Sequence, residues 1–207
     1  MRIEKQIRRR TDEILEEEMR ATIFSDDFNR IVDATKQFVS KVHCESWKAK
    51  EYIRFDFDAE HQKVTAMSLD GYRMSVENSV VSECDENFSV YIMGSFRLPR
   101  KTYAVIEKVG TEVQIRCAGA LFGFEQPADP QPFEWQKVIP EGKPHFKIGF
   151  NGNYLLTALQ AAKISAGQTF KNPIVLEFWS PISPVIIRTN KDDIKMVLPI
   201  RLGGHES

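Results

Sequence analysis

The run Tyr52-Ile53-Arg54-Phe55-Asp56-Phe57-Asp58 alternates apolar and polar side chains. A period of two is the signature of a strand with one buried face. Similar short runs recur at Ala21–Ser25, Val64–Ser68, Tyr72–Ser79, Phe88–Met93, Glu112–Cys117 and Ala120–Glu125. Others lie at Phe146–Phe150, Ile174–Trp179, Val185–Thr189 and Ile194–Pro199. A chain written this way builds sheets with one buried face. Fourteen Phe against three Trp suit a sheet-rich core.

Three helices are predicted among the strands. Phe28–Val42 places Phe28, Ile31, Val32, Thr35, Phe38, Val39 and Val42 on one face, and Ser25, Asp26 or Asp27 caps it. Arg30 and Lys41 are close to three turns apart and share a face of such a helix. Leu98-Pro99-Arg100-Lys101 opens a second helix with body Thr102–Val109, ended by Gly110. A third covers Tyr154–Lys163, with Asn151 as its cap. A strand–helix–strands unit therefore starts three times, near Ala21, Phe88 and Phe146.

Residues 1–20 read as a charged helix, with Arg8-Arg9-Arg10 before Glu16-Glu17-Glu18. It is either a solvated helix packed lightly on its neighbour or an arm for oligomerisation or DNA contact. Residues 126–145 hold Pro127, Pro130, Pro132, Pro140 and Pro144, which exclude a central strand and indicate an interdomain connection. The expected division is a helix at 1–20, a domain of two units at 21–126, a connector at 127–145 and a half-size unit at 146–207.

The bulk properties exclude several function classes. A formal net charge of −1 leaves nucleic-acid contact to local basic faces. Cys44, Cys84 and Cys117 are an odd, widely spaced set that fits neither a disulfide framework nor a zinc site, and points to a reducing cytoplasm. No run approaches a membrane span, and Met1-Arg2-Ile3-Glu4-Lys5 lacks the apolar core of a signal peptide. No Walker or dinucleotide glycine motif is present. His43-Cys44 is adjacent in sequence but lacks an oxyanion motif, and His61, His145 and His205 lack metal-ligand spacing. Asp56, Asp58 and Glu60 fall on one strand face, which reads as a solvated face before it reads as a cation site. No catalysis, metal or cofactor is expected.

Five segments, in order, resemble the bacterial DNA polymerase sliding clamp family, the beta subunit of the replicative polymerase. Ser68-Leu69-Asp70-Gly71-Tyr72-Arg73-Met74 is similar to the family's Thr-Asp-Gly-His-Arg-Leu turn, and Pro99-Arg100-Lys101 to the start of the helix that follows. Phe133–Pro140 resembles the interdomain Phe-Pro-Asp-Tyr-x-x-Val-x-Pro. Phe150-Asn151-Gly152-Asn153-Tyr154-Leu155-Leu156 resembles Phe-Asn-x-x-Tyr-Leu-Leu. Ser183-Pro184-Val185 with Val197-Leu198-Pro199-Ile200-Arg201-Leu202 resembles the terminal strand pair. The resemblance covers roughly residues 24–202 and spans three half-domain units where the family has six.

It implies an α+β, sliding-clamp-like fold of half-domain repeats, with curved antiparallel sheets and helices on the inner face. It also implies a pocket for short apolar peptides of polymerase or repair proteins. The implied lining is Leu69, Gly71, Tyr72, Arg73 and Met74 from the turn, Val138 from the connector, and Asn151 and Tyr154 from the third helix. Ile182 and Pro184 come from a hairpin, and Met196, Val197, Leu198, Pro199, Ile200 and Arg201 from the last strand. The residue types suit the task. Met adapts to varied apolar partners, Arg73 and Arg201 offer carbonyl or carboxylate contacts at a rim, and Tyr72 and Tyr154 join an apolar body to a polar tip. Equally, Met, Leu and Ile in strands serve as plain sheet core.

Non-specific double-stranded DNA contact is assigned to Arg30, Lys41, Arg97, Arg100, Lys101 and Lys163, whose bland alternative is solvated surface charge. The expectation is a cytoplasmic, homo-oligomeric, non-enzymatic processivity or replication/repair factor, with encirclement of DNA as its extended form. The alternative is a non-ring module that binds or sequesters the same partners.

Overall fold

The computed structural model describes residues 18–41, 49–128, 130, 133–167, 173–189 and 192–202. The expected helix at 1–20 falls outside these up to residue 17, as do His43, Cys44 and His205. The chain divides into two compact units, Met1–Phe133 and Glu134–Ser207, with the boundary inside the Pro-rich stretch.

In the first unit the order is β1 (Glu18–Phe24), α1 (Ser25–Thr35), a 3-10 turn (Lys36–Phe38), β2 (Ile53–Asp58), β3 (Lys63–Leu69) and β4 (Met74–Val80). Then come β5 (Glu83–Cys84), β6 (Phe88–Ile92), β7 (Tyr103–Val109), β8 (Glu112–Cys117) and β9 (Ala120–Glu125). Two antiparallel sheets result, one ordered β5-β1-β7-β8-β9 and the other β4-β3-β2-β6. The alternating run behaves as written: Ile53, Phe55 and Phe57 are buried while Arg54, Asp56 and Asp58 are not. The core joins both sheets to α1 through Ile23, Phe28, Ile31, Phe55, Val90, Ile106 and Ile115. Phe28 stacks on Phe55 at 5.2 Å between ring centroids.

Two expectations are corrected here. Glu18–Arg20 are strand, because they pair with Lys108, Val109 and Glu107 on β7. The helix expected over Leu98–Val109 does not form. Residues 93–102 are a loop and Tyr103–Val109 is β7, paired with the whole of β1. The segment Tyr103-Ala104-Val105-Ile106 alternates, with Ala104 and Ile106 buried, and this pattern overrides the Pro that suggested a helix start.

The loop does the work of the absent helix. Phe96 meets Phe28, Phe122 and Phe124 edge-on at 6.0, 5.0 and 4.8 Å between centroids. Asn29 of α1 donates from Nδ2 to the Leu98 carbonyl and accepts from the Leu98 N–H at Oδ1, each at 2.9 Å. Ser25 is buried and its hydroxyl accepts from Thr102 N–H, so it ties the loop instead of capping α1. The N-cap is Phe24, with no side-chain cap bond. Helix α1 also stops earlier than expected, at Thr35, whose hydroxyl donates to the Ile31 carbonyl. Lys41 therefore lies beyond the helix and does not share a helical face with Arg30.

The second unit is smaller. A 3-10 turn (Trp135–Val138) precedes α2 (Gly152–Ala166), β10 (Val175–Glu177), β11 (Val185–Arg188) and β12 (Ile194–Val197). The three strands form one antiparallel sheet in that order. Asn151 caps α2 as expected, its side chain accepting from the N–H groups of Asn153 and Tyr154 at 3.0 and 3.3 Å. The expected strand Phe146–Phe150 reduces to one bridge, Gly149 to Ile200. The core is Ala162, Val185, Ile187 and Val197, with Phe150, Leu155, Ala158, Leu159 and Ile174 partly buried around it.

Candidate functional site

The turn after β3 is built around Asp70. Its Oδ1 accepts from the N–H groups of Tyr72 and Arg73 at 3.0 and 2.9 Å, and its Oδ2 accepts from the Arg73 guanidinium at 2.6 Å. The Arg73 hydrogen bonds, aided by the Tyr72 N–H, pull the Asp70 carboxyl down to about 2. Gly71 has φ +93°, a conformation only glycine adopts without strain. Arg73 also donates to the Gln37 carbonyl and lies 5.4 Å over the Phe38 ring. The arginine assigned to a rim is thus tied down on its own unit. The turn presents Tyr72, 97% exposed, with Leu69 buried and Met74 half-buried behind it.

Close to this turn, a small cleft is lined by Ala49, Lys50, Tyr52, Arg54, Met67, Ser68, Leu69, Tyr91 and Phe133. Tyr91 is buried there, and burial raises its phenol above the usual range. Arg54 holds Asp56 at 2.7 Å, and Asp56 also accepts from the Ser89 hydroxyl. Asp58 binds the backbone and ring of His61, whose N–H bond is the main cause of its lowered carboxyl. Glu60 lies past the end of β2 and so does not share the strand face with the two aspartates. No cluster of metal-binding side chains occurs among the described residues.

In the second unit a broad groove is lined by Lys147, Gly149, Pro181, Ile182, Pro199, Ile200, Arg201 and Leu202. Sequence reasoning singled out Ile182, Pro199, Ile200 and Arg201, and the fold brings these four together. It missed Lys147, Gly149, Pro181 and Leu202. Gly149 was detectable, since glycine within an alternating run marks a close backbone approach. A Cβ there would sit 2.6 Å from Leu202 Cδ2 and 3.1 Å from Ile200 Cγ1. The turn between β10 and β11 is held by Ser180, whose hydroxyl bonds that of Ser183 at 2.6 Å and accepts the Ser183 N–H at 3.1 Å. This turn lifts Ile182 to 83% exposure.

Other predicted lining residues fall into distinct places. Tyr154, Val138, Met196 and Leu198 are exposed on the second unit, and Pro184 is half-buried at the start of β11. Val197 is core beneath α2, so it supports the last strand and does not line a surface. Asn151 spends its side-chain oxygen on the helix cap.

The basic residues assigned to DNA divide into two groups. Arg30 donates to Glu77 at 3.2 Å and to the Asn78 carbonyl at 2.9 Å. Arg97 bonds Asp33 and the carbonyls of Gly94 and Phe96. Lys36 and Arg97 together hold the Asp33 carboxyl below its ordinary range. Asp26, Asp27 and Asp33 against Arg30 leave α1 acidic. Lys41, Arg100, Lys101 and Lys163 are exposed. Lys101 sits in a loop with φ +59°, so the helix N-terminus proposed for Arg100 and Lys101 is absent.

Among the described residues no helix is long and apolar enough to cross a membrane. Cys84 and Cys117 are buried, and burial raises both thiols above their ordinary range, away from the reactive thiolate.

Solved structures share this fold. The DNA polymerase sliding clamp from Bacillus subtilis superposes with a TM-score of 0.73 at 15% identity, over 91% of this chain and 52% of that one. The sliding clamp from Pseudomonas aeruginosa gives 0.74 at 12%, over 90% and 52%. The DNA polymerase beta subunit of Streptococcus pyogenes gives 0.70 at 14%, over 87% and 50%. No protein-family model and no curated protein matches the sequence. The chain has the sliding-clamp fold and spans about half the length of these structures.

Proposed function

We propose that this protein is a non-enzymatic, clamp-like scaffold that docks short apolar peptides of replication or repair proteins. The observation that carries the reading is the open groove of the second unit, where Ile182, Ile200 and Leu202 stay exposed beside Lys147 and Arg201. Apolar side chains gathered at a concave surface with a charged margin suit an extended peptide carrying apolar anchors and acidic or carbonyl groups. Two or three anchors at roughly 1.5–3 kcal/mol each, less the cost of ordering, give micromolar affinity. The proposal places this activity in the cytoplasm, as part of a homo-oligomer, without metal or cofactor.

A second reading concerns DNA. The acidic α1 and the internal pairing of Arg30 and Arg97 favour a non-ring module that binds or sequesters polymerase partners over a ring closed on DNA. Lys41, Arg100, Lys101 and Lys163 supply whatever sequence-independent phosphate contact exists.

Titration of the full chain with a labelled synthetic peptide from a polymerase's clamp-binding segment tests the main reading. Wild type should bind in the micromolar range, and Ile182→Ala and Ile200→Ala should each weaken binding about fivefold or more. Equal binding by wild type and both variants would remove the groove from the proposal. Retention on circular but not linearised duplex would restore the ring.

A further inference from the structure

The first unit shows how two halves of this fold complete each other. β1, which leads into α1, does not join the sheet of β2, β3 and β4. It pairs antiparallel with β7, from Glu18–Val109 to Phe24–Tyr103. β6, which precedes β7, crosses the other way and pairs antiparallel with β2, from Phe57–Phe88 to Ile53–Ile92. In both exchanges the last residue of the leading strand faces the first residue of the receiving strand. The core-facing side chains of β2 are buried between its two neighbours: Ile53, Phe55 and Phe57 are 0–3% exposed.

The second unit contains one donor and one acceptor of the same kind. Residues 146–150 lead into α2 as β1 leads into α1. Their bridge from Gly149 to Ile200, just after β12, matches the pairing of β1 with β5, just after β4. The opposite edge of β1 carries β7; no strand occupies that edge of 146–150 among the described residues. β10 is the first strand after α2, as β2 is the first after α1. Among the described residues it has β11 on one side and no strand on the other. Val175 and Leu176 on this strand, and Phe178 just after it, are 43–46% exposed.

An open apolar edge is a template for strand addition. A core of four residues under three short strands is also small for independent stability.

We propose that the second unit is completed by the second unit of another copy of this chain. Residues 146–150 of each copy add antiparallel to β10 of the other. The two reciprocal pairings rebuild about a two-fold axis what the β1–β7 and β6–β2 exchanges build inside the first unit. The occupant is a second copy because donor and acceptor are both open on one unit, in the order that makes the surface self-complementary, and an isologous contact fills both at once. The register rule of the first unit puts Phe150 of one copy beside Val175 of the other, and Lys147 beside Phe178. This inference rests on strand topology and does not depend on peptide docking, although Lys147 and Gly149 also border that groove.

Sedimentation of the full chain from micromolar to sub-millimolar concentration should show a monomer–dimer equilibrium. Leu176→Lys changes an exposed edge position, so the circular dichroism should stay the same while dimerisation weakens about tenfold or more. Met196→Lys, on the far strand β12, should leave the dimer intact. Mixing Lys147→Cys chains with Phe178→Cys chains and adding a short thiol-reactive crosslinker should give a covalent dimer, above the background of wild type. A monomer throughout, or a dimer indifferent to Leu176→Lys, overturns the proposal. So does a mixture that crosslinks no better than wild type, and that readout holds even if Leu176→Lys fails to fold.

Discussion

Asp70 is the residue whose charge state organises the turn it sits in. Four donors converge on its carboxylate, two from backbone and two from Arg73. Its carboxyl lies at about 2 against an ordinary 3.8, so the folded turn holds fewer protons than the unfolded chain between those values. The stabilisation is full above the ordinary value and is lost as pH falls through about 2. Carbon-detected titration of the Asp70 carboxyl should give a midpoint near 2. Asp70→Asn should flatten the acid dependence of thermal stability between pH 4 and 2, a range set by those same two values. Gly149 makes a different kind of residue-level contribution, since it has no side chain where Leu202 lies. Gly149→Ala should displace the flexible Leu202 side chain, weaken groove binding of the peptide and leave the first unit unchanged. Calorimetric binding with a parallel melt of each unit reads both effects.

Loop 93–102 is the element that sets this chain apart from a plain repetition of its own first half. A helix stands between β1 and β2, but a loop stands between β6 and β7. Phe96 supplies the apolar surface that an amphipathic helix would bring, and Arg97 bonds the loop carbonyls that a helix would satisfy internally. Phe96→Ala should therefore cost about 3 kcal/mol, the low end for a Phe truncation because the ring is only partly buried. Urea unfolding followed at the first unit checks this. Phe96→Leu should recover most of the loss, because volume is largely kept. A loss well under 1 kcal/mol would mean that the loop is an ornament on an already complete core.

At the scale of the molecule, the two units are unequal in what they bury. The first joins two sheets and α1 in one core, whereas the second packs Val185, Ile187 and Val197 against Ala162 of α2. Below the dimerisation concentration the second unit should therefore unfold first. Hydrogen exchange should show faster amides in β10–β12 than in β2, β3 and β7, with the gap narrowing as concentration rises. Charge follows the same division. Arg30 and Arg97 are consumed by internal pairs, so Arg30→Ala should barely change duplex affinity. Arg100→Glu with Lys101→Glu should lower it and reduce its salt slope. Filter binding across a salt series separates these outcomes.

The sequence by itself determined most of the strands, because alternation is a local property that each residue reports independently; Tyr103–Val109 and Phe146–Phe150 are the exceptions. Glu112–Cys117 and Ala120–Glu125 match β8 and β9 end to end, and the ordered motifs pointed to the sliding-clamp fold. It also determined the Asn151 cap, whose partners lie two and three residues away. Tertiary structure decided the rest. Pro99 suits a helix start or a loop equally, and only pairing with β1 made Tyr103–Val109 a strand. Nothing local reveals that Arg73 and Arg30 are tied to groups 36 and 47 residues away, or that Val197 faces inward under α2. The exchange of β1 and β6 between sheets is a pairing of segments far apart in sequence, and the open edge of β10 is visible only by comparison with it.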